Sequence, residues 1–245
     1  LHYLNVRGDD YGINPLGKEV RAYFQEGASY MDRYESFDLE TKGNIIRCLG
    51  NSRMAMSRNT YGDCRAYLEV FNKAMKVICS PYYRALDPSI PWDNFEYSMH
   101  MDRMTLLGYL RNHEDPEIAQ EVLRSAEYVY KKKPPSQAVD ERVQNWRIGY
   151  SYKAARFHAG GGTAREVVDE LLFVAEHTDQ RDYSPGGINN KLVSVAYLFS
   201  YEQRMTHEER EQYAERVEAA FAASVEYLNE LPVNQYPRVA SAAVR

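Results

Sequence analysis

With 245 residues, 44% hydrophobic and 27% charged, the chain has ordinary globular composition and ample material for a core. Its net charge of −5 argues against a nucleic-acid binder, which needs a basic face. No stretch approaches about 18 uninterrupted apolar residues, so no membrane span is expected. The three cysteines, Cys48, Cys64 and Cys79, form no CxxC pair and fit reduced thiols of a cytoplasmic protein.

In chain order, residues 1–14 hold Gly8, Gly12 and Asn14 with no period and read as an N-terminal loop. Pro15 suits the start of a helix running to about Tyr34. A second helix follows at about Leu39–Arg58 with Asp38 as cap, then a turn at Asn59–Gly62 and a third helix to Ser80. Residues 81–92, with Pro81, Pro88 and Pro91, read as an ordered irregular connection. Further helices are expected at about 93–112, 115–133, 136–159, 163–177, 188–205 and 207–231. Asp115-Pro116 and Thr206-x-x-Glu209 are helix starts, and Gly160-Gly161-Gly162 is a stop. Nothing alternates with period two, so sheet is not expected. Residues 237–245 read as two turns of a helix leading toward a C-terminal output domain, in a chain that opens at Leu1 rather than Met. The regulatory domain itself is expected over 15–236.

Five sets share a spacing of four and then three: Val20/Phe24/Gly27, Tyr67/Phe71/Ala74, Ala119/Leu123/Ala126, Val168/Leu172/Ala175 and Val217/Phe221/Ser224. That spacing puts each set on one helical stripe, with a small residue where a neighbour can approach closely. Their first members lie 47, 52, 49 and 49 residues apart, a period that holds two helices and predicts stacked pairs. The stripe resembles the second helix of a tetratricopeptide repeat. Leu49-Gly50-x-x-Arg53 and Ile148-Gly149-x-x-Tyr152 resemble that family's Leu-Gly-x-x-Tyr. The expected fold is therefore all-α, a TPR-like superhelical array of antiparallel helix pairs, about nine helices in all. The period is longer than the family's own, and its closing proline is mostly missing.

A second resemblance covers about residues 40–245. Met101–Met104, Ala126–Tyr130, Trp146–Tyr150 through Phe157–Gly160, and Asp182-Tyr183-Ser184-Pro185 are similar to a helical region of Firmicutes signalling proteins. That region lies upstream of GGDEF or HD-GYP domains, which make or degrade cyclic di-GMP. The resemblance implies a sensory or regulatory role, with catalysis in an attached domain; neither motif occurs within this chain.

Sites of chemistry are sparse. No Glu-x-x-His occurs, and the six histidines are scattered singly, so no metal site is expected. No Gly-x-Ser-x-Gly occurs; Cys48 and Cys79 fall on apolar helix faces where thiols stay protonated. Gly160-Gly161-Gly162-Thr163 lacks the strand and lysine of a phosphate loop and reads as a turn. No cofactor is expected.

Aligned on their Leu-Gly pairs, the groove-facing positions of two first helices are Asn44, Arg47, Asn51 and Met54, and Arg142, Asn145, Tyr150 and Lys153. Arg or Lys beside Asn can grip a carboxylate or a peptide backbone, so Arg47, Asn51, Arg142, Asn145, Tyr150 and Lys153 form the candidate ligand site. The competing reading is that the Asn residues cap helices and the cations make surface pairs. Together these features predict a non-enzymatic cytoplasmic module that binds a peptide, protein or small molecule, acts on an attached output domain, and is open to homodimer formation. The alternatives are the effector region of a TPR-type transcription regulator, and a helical enzyme with a pocket between repeats.

Overall fold

The computed structural model describes residues 26, 29–38, 41–42, 45, 64–86 and 88–232. Among these residues there are helices and turns and no strand, so the protein is all-α. Its contacts group into two compact units, residues 1–109 and 110–245.

In the first unit, a 3-10 turn at Tyr30–Ser36 comes before α1 (Cys64–Ile78), α2 (Pro81–Leu86) and α3 (Trp92–Arg103). Leu68, Phe71, Ala74 and Ile78 recur three or four apart on α1 and are buried, so this face is the one α1 lays against α3. There the Arg103 guanidinium lies 3.9 Å from the Phe71 ring centroid. The segment expected as an irregular connection instead contains α2, started by Pro81. Arg84 on α2 fastens it in three directions, donating to the Ile78 carbonyl at 2.7 Å, Asp93 at 2.7 Å and Glu96 at 2.6 Å.

The helix expected at 93–112 is present as one unbroken helical run, α3, a 3-10 turn at Met104–Leu106 and α4 (Leu107–Leu110), with Arg103, Met104 and Leu107 all in right-handed helical conformation. The tightened turn has a local cause. Thr105 turns its hydroxyl back onto the Asp102 carbonyl at 2.6 Å, competing with the helical ladder.

The second unit contains α5 (Pro116–Lys132), α6 (Val139–Gln144), α7 (Trp146–His158), α8 (Ala164–His177), α9 (Pro185–Ile188), α10 (Ser194–Glu202) and α11 (His207–Glu230). α5 packs on α7, α7 on α8, and α8 on both α10 and α11. Asp115 caps α5 by accepting from the Ile118 amide at 3.1 Å, with Pro116 in the first turn. Thr206 and Glu209 close a capping box on α11, and Thr163 and Glu166 close another on α8. Gly160 ends α7 at φ 78, a left-handed conformation that favours glycine.

One expected helix is divided, and another runs continuously through a wider turn. The one at 136–159 becomes α6 and α7, separated at Asn145 (φ −106, ψ 16). The one at 188–205 is preceded by α9 and passes through a π-helical turn at Asn189–Val193 before α10. The Ser194 hydroxyl donates back to the Asn190 carbonyl across that turn.

The repeated stripe does not mark one repeated packing position. Phe71 and Leu172 are buried, Leu123 is half-buried, and Phe221 is 50% exposed. On α11 the buried line runs instead through Tyr213, Ala220, Ser224 and Tyr227. Ala220 stands beside Phe221 and is the buried one of the two. Phe24 lies outside the described residues. Of the two thiols placed on apolar faces, Cys79 is exposed and Cys48 lies outside the described residues. Partial burial and the nearby Glu96 raise the Cys79 thiol above its ordinary pKa.

Candidate functional site

Arg142 on α6 and Lys153 on α7 converge on a single carboxylate, that of Glu170 on α8. Arg142 Nη2 donates to Glu170 Oε2 at 2.7 Å and its Nε to Oε1 at 3.4 Å. Lys153 Nζ donates to the same Oε2 at 2.7 Å. The Arg142 guanidinium also lies 3.7 Å from the Phe173 ring centroid, one turn along α8. Glu170 is 2% exposed, so the two cations are what make its burial tolerable. Burial pushes the carboxyl pKa up. The hydrogen bonds from Arg142 and Lys153, and then their charges, outweigh burial and hold it below its ordinary value.

Gly149 makes this geometry possible. A Cβ on Gly149 would stand 2.6 Å from Glu170 Oε1, closer than real contacts allow. The glycine of the Ile148-Gly149 pair is thus the gap through which the carboxylate reaches its cations.

Asn145, at the break between α6 and α7, donates its side-chain amide to the Glu141 carbonyl at 2.9 Å and accepts from Lys133 Nζ at 2.9 Å. The break also orients Trp146, which is buried and donates its indole N–H to Asn190 at 2.8 Å.

One turn before Lys153, Tyr150 enters a second cluster. Tyr150 is buried and accepts from Arg111 at 3.2 Å. Its ring stacks on Tyr197 at 5.3 Å and meets Tyr201 edge-on at 6.1 Å. Arg111 lies 3.9 Å from the Tyr197 ring centroid. Burial opposes the Arg111 charge, and the surrounding Tyr150 and Tyr197 more than offset it, so its pKa is raised. Burial raises the phenol pKa values of Tyr150 and Tyr201. His158 stands 3.0 Å from the Tyr201 hydroxyl. Burial, with Arg204 and Arg111 adding to it, brings the His158 pKa down to about 4, so it is neutral at physiological pH.

Of the candidate ligand residues, the structure brings Arg142 and Lys153 together, and the carboxylate they hold is the protein's own. Tyr150 is part of the aromatic core, and Asn145 closes a helix break. Arg47 and Asn51 lie outside the described residues, as do Asn44 and Met54. The residue that sequence reasoning missed is Glu170. Its signal was present: it falls between Val167 and Val174 on a line of three-then-four spacing whose other members are apolar and buried.

The Asp182–Pro185 motif has a structural role too. Asp182 accepts from the Ser184 amide at 3.0 Å, Ser184 accepts from the Gly187 amide at 3.1 Å, and Tyr227 donates to the Asp182 carbonyl at 2.7 Å. Among the described residues, no three His, Cys, Asp or Glu side chains are grouped to hold a metal ion, and no helix is long and apolar enough to cross a membrane. No family model, curated protein or solved structure matches this chain.

Proposed function

We propose that this chain is a non-enzymatic regulatory module that binds a partner through one face of its last described helix and passes that event to an attached signalling domain. The observation that carries this reading is a second apolar stripe on α11. Phe221, Val225 and Leu228, spaced four and then three, are 50%, 41% and 37% exposed. Phe199 of α10 extends the stripe, meeting Phe221 edge-on at 5.6 Å. A contiguous exposed apolar surface of this kind marks an interaction site rather than ordinary surface.

Helical spacing puts the exposed carboxylates Glu211 and Glu218 along one flank of that stripe. The partner chemistry that fits is an amphipathic helix with apolar residues at i, i+4 and i+7 and a basic flank. The resemblance of the sequence to tetratricopeptide repeats supports the same reading. The resemblance of 146–160 and 182–185 to regions upstream of GGDEF or HD-GYP domains supports cyclic di-GMP signalling as the output.

The test is titration of the 245-residue chain into a labelled basic amphipathic peptide, beside a scrambled peptide of equal charge. Saturable binding of the first alone, weakening as salt rises, is expected. Equal binding of both peptides, binding of neither, or self-association of the chain through Phe221 in sedimentation would overturn the reading.

A further inference from the structure

The π-helical turn at Asn189–Val193 buries a lysine that nothing in the ion-pair network explains. Lys191 is 2% exposed. Its ammonium donates to the Ala175 carbonyl at 2.8 Å, and among the described residues it makes no other hydrogen bond and no ion pair. The bond satisfies a carbonyl in the last turn of α8, a recognised use of a lysine. It employs one of three N–H donors. A buried ammonium with donors left over is costly unless an acceptor or a counter-charge reaches it. Burial accordingly lowers the Lys191 pKa.

Lys191 lines a cavity of about 340 Å³ between α8, the π turn and α11. That volume lies at the small end of the range for metabolite pockets. Its walls are kept back by alanines, Ala175 from α8 and Ala219, Ala220 and Ala223 from α11. Arg216 at the rim is held by Glu176, with bonds of 2.8 and 3.0 Å, and by Asp169 at 3.6 Å. Among the described residues the lysine has no such partner. Single π turns inside α-helices occur frequently at functional sites.

We propose that this cavity is a binding site for a small organic carboxylate, whose oxygens accept the two remaining N–H donors of Lys191. The carboxylate supplies a counter-charge to Lys191; of the two carboxylates that line the cavity, Glu176 is already engaged by Arg216. The alanine walls accept the ligand's apolar body, and Glu215 at the rim suits an amine on the same molecule. The site lies on a different flank of α11 from the Phe221 stripe, so it stands independently of the partner face.

The test is a thermal-shift and calorimetric titration of the 245-residue chain with acetate, succinate, benzoate and L-alanine, each beside its carboxamide, with sulfate as salt control. At least one carboxylate should bind saturably while its carboxamide does not; preference for L-alanine over acetate assigns Glu215 to an amine. Lys191→Met should weaken binding at least tenfold. Because that variant also loses the bond to Ala175, Ala223→Leu serves as the second: it fills the cavity and leaves that bond in place, and should abolish binding with the ligand-free melting temperature kept within a few degrees. No binding of any carboxylate, equal binding of the carboxamides, an equal shift with sulfate, or undiminished binding by Ala223→Leu would each overturn the proposal.

Discussion

Gly149 and Glu170 occupy space that only one of them can have: a single methyl on the first would stand 2.6 Å from a carboxylate oxygen of the second. The carboxylate cannot swing away cheaply, because Arg142 and Lys153 each hold it at 2.7 Å. Gly149→Ala should therefore destabilise the fold by about 1–3 kcal/mol, the range for overpacking a tight core, despite alanine's better helix propensity. Urea unfolding would measure it. A variant as stable as the parent would show that the carboxylate relocates freely.

Glu170→Gln should be more damaging than loss of either cation alone. It leaves two positive charges facing one another across the space a carboxylate had bridged. Breaking a buried pair costs about 3–5 kcal/mol, and about half of that is expected here because Arg142 and Lys153 remain 30% exposed to water. Adding Lys153→Met to Glu170→Gln should recover part of the loss. A strictly additive double variant would deny the coupling.

Phe71→Ala and Phe221→Ala should separate sharply, although the two residues share a sequence pattern. Phe71 is 1% exposed and should cost about 3–5 kcal/mol. Phe221 is 50% exposed, and its loss should stay within about 0.5 kcal/mol. Equal losses in equilibrium unfolding would restore the repeat as a packing unit.

That contrast shows what the sequence could convey. Helix class, the caps at Asp115 and Thr206 and the stop at Gly160 were legible because each rests on local chemistry within a few residues. The 3-10 turn at Met104–Leu106, the break at Asn145 and the π turn at Asn189–Val193 were not, because apolar periodicity runs straight through them. The candidate ligand site was not legible as what it is: the cations on α6 and α7 grip a carboxylate of the protein itself, in a contact between helices. The owner of that carboxylate was hidden, because Glu170 approaches from a helix 17 residues from Lys153 and meets it only in the fold. The stripe puts Phe221 on the buried line of α11, and the structure puts Ala220 there instead; both satisfy a small-or-apolar pattern, so local spacing does not choose between them.

Acid should weaken the second unit from near-neutral pH downward. His158 has a folded pKa of about 4 against an ordinary 6.5. Its neutral form is favoured in the fold, so its contribution is complete above 6.5 and is lost as pH falls toward 4. Glu170 has a folded pKa below its ordinary value, so its contribution is present above that value and is lost as pH falls through the folded one. The melting temperature should decline between pH 6.5 and 4.5, and His158→Gln should flatten that decline. A slope unchanged by the substitution would remove His158 as its source.

The most direct test of the interaction-module reading is Phe221→Asp on the 245-residue chain, measured for peptide affinity and melting temperature together. Aspartate at an exposed position leaves the buried line of Tyr213, Ala220, Ser224 and Tyr227 intact, so the melting temperature should hold. Affinity for the basic amphipathic helix should fall at least about tenfold, roughly 1.4 kcal/mol. Unchanged affinity in a stably folded variant would contradict the assignment of this face to a partner.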